Sequence, residues 1–180
     1  LFPGCTFLDV VPEGNIESIE SNFEKRDQTE NWFKYCHFWV SPFTTSVISN
    51  PAYMGTDEVA VQAAVEQIPA HEGGIAIVVN CAGFGISGAV EFTSLEQAKA
   101  QFDVNFFGMV NVNRAVLPAM RKQGSGRIVN ISSVAAVAHI PFQAFYSASK
   151  AAVSSYSCAL DNEVSPYGIR VTAEELGDIH

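Results

Sequence analysis

Uninterrupted apolar runs are missing from this 180-residue chain. No window holds the ~18 consecutive apolar residues of a membrane-spanning helix, so no transmembrane segment and no membrane partner are expected. The N-terminus lacks the basic start and apolar run of a signal peptide, which leaves a soluble, cytoplasmic protein as the expectation. Positive charge is scarce as well. Lys and Arg number 10 against 19 Asp and Glu, a net charge of −9. Phosphate backbones are bound by clustered Lys and Arg, so nucleic acid is excluded as a partner. Cysteines are few, at positions 5, 36, 81 and 158, and none forms a C-x-x-C pair. Their spacing implies no zinc site, and reduced, buried, inert thiols are expected.

About half of the chain is apolar (48%), enough for one domain with a real core. The charge is unevenly spread. Residues 1–74 carry 11 acidic and 3 basic side chains, whereas residues 75–180 carry 8 and 7. Residues 1–55 are rich in aromatics, hold neither helix nor strand period for long, and are interrupted by Pro3, Pro12, Pro42 and Pro51. One short helix over Ile16–Lys25 fits, with Ile16, Ile19 and Phe23 on one face. The single domain therefore divides into a divergent stretch, 1–55, and a regular one, 56–180.

From Thr56 onward the pattern is regular. Val59, Ala63, Val65 and Ile68 predict a helix capped by Thr56 or Asp57 and ended by Gly73-Gly74. Ile75–Val79 is a short apolar, β-branched run of the kind buried in parallel sheets. Phe102, Phe106, Met109, Val112, Val116 and Met120 recur at steps of three and four, which predicts one helix over roughly Leu95–Lys122. A second strand is expected over Arg127–Ile131, a third helix over Phe145–Val164 and a third strand over Ile169–Ala173. Helix and strand in alternation with short links imply βαβ units and a parallel sheet.

Tyr146 and Lys150 are four apart, on one face of the third helix. An ammonium beside a phenol favours the phenolate, and a phenol so placed can exchange a proton with a carbonyl or an alcohol. The spacing alone also fits an ordinary surface pair. Its context adds weight, because Ser133 lies thirteen residues upstream, just past the strand ending at Ile131. Side chains there face the crevice in which α/β proteins bind ligands. Ser132 is the alternative hydroxyl.

Arg127-Ile128-Val129-Asn130-Ile131-Ser132-Ser133, Pro141 and Tyr146-Ser147-Ala148-Ser149-Lys150-Ala151-Ala152 together resemble the active-site segment of a short-chain dehydrogenase/reductase. Asn80-Cys81-Ala82-Gly83 resembles that family's Asn-Asn-Ala-Gly motif, and Asp103-Val104-Asn105 its Asp-Val-Asn motif. Ile169-Arg170-Val171-Thr172 resembles the strand before its Pro-Gly cofactor loop, placed here at Leu176-Gly177. The resemblance covers about residues 56–180. It implies a Rossmann-like doubly wound parallel sheet, incomplete in its N-terminal half and at its C-terminus. It further implies an NAD- or NADP-dependent enzyme that interconverts an alcohol and a ketone or aldehyde on an apolar substrate.

By the same resemblance Tyr146 is the general acid/base, and Lys150 tunes it and holds the nicotinamide ribose. Ser133 orients the substrate oxygen, and Asn105 steadies a proton-relay water near Lys150. Asn80, Ala82 and Gly83 border the adenosine side of the cofactor, and Gly177 belongs to the cofactor loop. A homodimer or homotetramer is implied, pairing through the helices at Leu95–Lys122 and Phe145–Val164, where Ala148, Ala151 and Ala152 permit close approach. The other reading is an inactive member of the family kept for binding or oligomerisation.

Two features stand against a simple reading. Gly83-Phe84-Gly85-Ile86-Ser87-Gly88 matches the dinucleotide pattern G-x-G-x-x-G, but no helix is predicted to open at those glycines. Residues 1–55 hold no Thr-Gly-x-x-x-Gly-x-Gly loop of the sort that brings a backbone up to a pyrophosphate. His139, between Ser133 and Tyr146, is either a substrate contact or a solvent-facing loop residue.

Overall fold

The short apolar runs become strands and the three-four periods become helices, with boundaries set by side chains that compete for the backbone. The computed structural model describes residues 38–41, 55–72 and 74–177, with backbone alone for 38–41 and 67–72. The helix expected over Ile16–Lys25 lies outside the described residues. In chain order the elements are β1 (Phe38–Ser41), α1 (Glu58–Glu72), β2 (Ile77–Asn80) and α2 (Leu95–Phe102). A π-helical segment (Asp103–Gly108), α3 (Met109–Gln123), β3 (Gly126–Ile131) and α4 (Ala135–Ala138) follow. The last two are α5 (Ala144–Val164) and β4 (Ile169–Glu174).

The sheet runs β1-β2-β3-β4. β2, β3 and β4 are parallel, as the βαβ pattern requires, with Asn80 opposite Asn130 and Asn130 opposite Ala173. β1 is antiparallel to β2, so the sheet is mixed and the irregular N-terminal stretch contributes an edge strand that its sequence did not announce. β2 starts two residues later than its apolar run because the Gln123 side chain engages the main chain of Ile75. Gln123 Oε1 accepts from Ile75 N at 3.1 Å and Nε2 donates to Ile75 O at 3.1 Å.

One hydrophobic cluster joins α1, α3 and α5 to the inward residues of the strands. Ile75, Val78, Ile128, Ile169 and Val171 meet Val61, Val65, Val116, Met120, Leu160 and Val164. Asp57 caps α1, its Oδ1 accepting from Ala60 N at 3.0 Å. The buried face of α1 differs from the expected one. Val65 is inside as expected and Val61 joins it, while Val59 is 80% exposed and Ala63 is exposed. The predicted helix over Leu95–Lys122 is interrupted by the π segment, whose extra residue per turn swings Asn105 and Gly108 inward. Its C-terminus ends at Gly124 in the left-handed region (φ 73°), with Gly124 N donating to Met120 O at 2.9 Å.

A polar ladder crosses this apolar core. Asn80 Nδ2 donates to Asn113 Oδ1 at 2.7 Å and to Asn130 Oδ1 at 2.8 Å. Asn130 Nδ2 donates to Ser157 Oγ at 2.9 Å, and Ser157 Oγ donates to Val153 O at 2.7 Å. β2, β3, α3 and α5 are thereby tied at one level. Cys158 is exposed on α5 and Cys81 is half-buried after β2, against the expectation of buried thiols. Cys158 follows Ser157, which points inward, so its own side chain turns outward. Among the described residues no helix is long and apolar enough to cross a membrane.

Asn130→Ala removes the shared acceptor of the ladder and the donor to Ser157. Urea unfolding is expected to show a loss of about 2–4 kcal/mol. A loss under about 1 kcal/mol would mean that the ladder contributes little.

Candidate active site

The C-terminal edges of β2 and β3, together with the first turns of α5, bring the predicted residues to one end of the sheet. Lys150 is buried on the inner side of α5, and its Nζ donates to Ile131 O, the last carbonyl of β3, at 2.8 Å. Burial disfavours the ammonium and lowers its pKa from 10.5 to about 8, an effect that the thiol of Cys81 partly offsets. Tyr146 stands one turn earlier and half-buried, with Lys150 Nζ 5.9 Å from the centre of its ring.

The loop after β2 lies against both. A Cβ added to Gly83 would be 3.2 Å from Lys150 Nζ and 3.2 Å from Asn105 Oδ1. One added to Gly85 would be 3.6 Å from the Tyr146 ring. Asn105, carried inward by the π segment, has its amide fully engaged. Oδ1 accepts from Phe84 N at 2.9 Å, and Nδ2 donates to Phe84 O at 2.9 Å and to Ser149 Oγ at 3.0 Å. Its side chain thus anchors the loop and α5, and no bond joins it to Lys150.

The two serines are distinguished by their partners. Ser132 Oγ donates to Lys150 O at 3.0 Å and meets Ser154 Oγ at 2.8 Å, so it belongs to the packing of β3 on α5. Ser133 Oγ accepts one bond, from Ala135 N at 3.2 Å, and keeps its hydrogen available. Among the described residues no hydrogen bond links Ser133 to Tyr146 or Lys150. Ser133 begins a stretch whose end, His139 (φ 48°) and Phe142 (φ 63°), holds left-handed conformations unusual for residues with a Cβ. Phe142 O accepts from Gly88 N at 2.8 Å, which ties this stretch to the loop after β2. His139 is exposed, the loop alternative of the two considered.

Three of the motif positions have the following surroundings. Asn80 turns its amide into the core ladder, so only its main chain faces the loop. The G-x-G-x-x-G stretch runs on as loop, and the next helix opens only at Leu95, under a capping box made by Ser94 and Gln97. Gly177 is exposed beside Val134, where a Cβ would be 3.1 Å from Val134 Cγ1. Ala82 is half-buried between Cys81 and Gly83. Gln101, Asn113, Asn130 and Ser149 were not singled out from sequence. Their signal was a polar residue set within a buried apolar face.

A family model described as short chain dehydrogenase matches residues 51–180. The chain belongs to the short-chain dehydrogenase/reductase family. It is 48% identical over 125 residues to a 3-ketodihydrosphingosine reductase of Bacteroides thetaiotaomicron, covering 69% of this chain and 46% of that protein. Among solved structures, an NAD+-bound xylitol dehydrogenase aligns with TM-score 0.66 and 32% identity over 67% of this chain and 47% of that one. A gluconate 5-dehydrogenase from Burkholderia cenocepacia, in complex with NADP and tartrate, aligns with TM-score 0.65 and 30% identity, covering 67% and 48%. This short-chain dehydrogenase/reductase chain thus spans about half the length of the proteins it matches. These likenesses go with the Rossmann-like α/β fold, of which the described residues form a part.

Because Lys150 has a folded pKa of about 8 against 10.5 when unfolded, the unfolded chain binds more protons between those values. Stability is therefore expected to rise as pH climbs from about 8 to 10.5, and the cost of the buried ammonium is present in full below that window. Thermal or urea unfolding across it, compared with Lys150→Met, should show a difference in slope worth up to about 3 kcal/mol. Parallel curves would refute the buried ammonium.

Proposed function

We propose that this chain carries the catalytic part of a nicotinamide-dependent oxidoreductase that interconverts an alcohol and a ketone or aldehyde. The observation that carries the reading is the close approach of the Gly83–Gly85 main chain to both Lys150 Nζ and the Tyr146 ring, at the strand end from which Ser133 emerges. A side chain at Gly83 would crowd Lys150 Nζ and Asn105 Oδ1, so the glycine keeps the cation and the nearby phenol accessible to a ligand. Lys150 and Tyr146 are the groups that would hold the nicotinamide end of NAD or NADP. When bound, the group supplies hydride transfer to or from the substrate carbon.

The chain's own residues handle the oxygen. In reduction, the Ser133 hydroxyl donates a hydrogen bond to the carbonyl oxygen, and the Tyr146 hydroxyl delivers the proton as that oxygen becomes an alkoxide. In oxidation the same phenol oxygen takes the alcohol proton. Lys150 Nζ, held by Ile131 O, stands 5.9 Å from the centre of the Tyr146 ring. The substrate is apolar. Val134, Val137, Ile140, Phe142 and Leu176 are exposed around Ser133, and residues 134–142 carry no acidic side chain, Lys or Arg. The name of the Bacteroides relative, a reductase of a ketone on a long-chain base, agrees with this. A cytoplasmic homodimer or homotetramer goes with the reading, and light scattering that reports a monomer would count against the oligomer.

Turnover of 3-ketodihydrosphingosine with NADPH or NADH is the assay. Tyr146→Phe is expected to reduce kcat at least about 10²-fold, and Ser133→Ala about 10²-fold. Survival of the Tyr146→Phe rate within a few-fold would refute the mechanism. The rival reading, a non-catalytic binding protein, draws on the lack of a glycine-rich phosphate loop in residues 1–55. It predicts no fluorescence change on titration with NADH or NADPH, and micromolar binding would dismiss it.

A further inference from the structure

Phe84 lies between Gly83, where an added Cβ would come within 3.2 Å of Lys150 Nζ, and Gly85, where one would come within 3.6 Å of the Tyr146 ring, so its peptide orientation sets both clearances. Its N–H is taken by Asn105 Oδ1 at 2.9 Å. Its carbonyl accepts two donors, Asn105 Nδ2 at 2.9 Å and Gln101 Nε2 at 2.9 Å. The two donors approach from the end of α2 and from the π segment, and together they can satisfy both lone pairs of that oxygen. Asn105, itself anchored to Ser149, holds Phe84 from one side only. Gln101 adds a second donor to the carbonyl from a different element.

Gln101 is fully buried, and its Oε1 has no partner among the described residues. A buried amide that leaves its acceptor unmatched carries a desolvation cost that one ordinary bond barely offsets. An apolar side chain of the same volume would serve packing at least as well. What Gln101 adds over such a side chain is the bond to Phe84 O.

We infer that Gln101 is a positioning residue of the reaction, which acts through the Phe84 carbonyl to hold the Gly83–Gly85 main chain against Lys150 and Tyr146. The inference rests on the proposed roles of that pair, while the clamp itself is a claim about the loop. Gln101→Met keeps the volume and deletes both the donor and the orphan acceptor. Its thermal midpoint is expected within about 3 °C of the parent. Amide hydrogen exchange at Phe84 and Gly85 should quicken about tenfold, and kcat for 3-ketodihydrosphingosine with NADPH should fall about tenfold with KM nearly unchanged. Gln101→Glu provides a rescue, because a protonated carboxyl can donate to Phe84 O and a carboxylate cannot. Its rate relative to the parent should recover as pH falls through the raised pKa of a buried acid.

Unchanged exchange in Gln101→Met overturns the clamp, whatever the activity. A fall in kcat matched by a fall in midpoint also overturns it, since Gln101 would then be a core residue only. If the parent chain shows no turnover, the proposed reaction fails, and the exchange rates still decide the clamp.

Discussion

The hydrogen bond from Lys150 Nζ to the carbonyl of Ile131 organises one end of this molecule. A buried ammonium must be matched by an acceptor, and the last carbonyl of β3 is within reach only if α5 lies close along the strand end in one rotation. That rotation puts Tyr146 one turn nearer the loop after β2, where Gly85 meets its ring. It also turns Ser149 inward to Asn105 and leaves the Lys150 carbonyl to Ser132. The depressed pKa of Lys150 records the cost of the arrangement, which a fold under no functional demand would avoid with an apolar side chain.

Two layers of polar contacts hold that end in place. The deeper one is the ladder of Asn80, Asn113, Asn130 and Ser157, which sets the height of the strands relative to α3 and α5. The outer one is the pair Gln101 and Asn105, which fixes the loop itself. The Asn80 amide belongs to the inner layer. The π segment makes the outer layer possible, because a regular helix through Asp103–Gly108 would carry Asn105 round to another direction. The interruption therefore falls where the chain turns from packing to chemistry.

Much of this was legible in the chain. The parallel strands follow from β-branched runs bounded by glycines, and α5 follows from its length and its Pro166-Gly168 stop. Tyr146, Lys150 and Ser133 were singled out by spacing, by their place after a buried strand and, for their roles, by resemblance to the family's active-site segment. Gln101 and Asn113 were missed because a helical pattern is scored by its apolar positions, and a polar residue among them looks like an interruption. On α1 the expected Val65 is inside, but Val59 and Ala63 face outward, since Val59 lies about 200° round the helix from Val61 and apolar residues fall on both sides. The pairing of β1 was illegible, because an edge strand of four residues has too short a pattern to stand out.

The amino-acid order by itself determined the type and succession of the elements and the residues able to exchange a proton, since periodicity and functional groups are local properties. Only the tertiary structure decided which serine keeps its hydrogen, where the Asn80 and Asn105 amides point and how closely the glycine loop approaches Lys150. These depend on bonds between residues tens of positions apart. Each such bond is won or lost by fractions of an ångström in packing that no local pattern encodes.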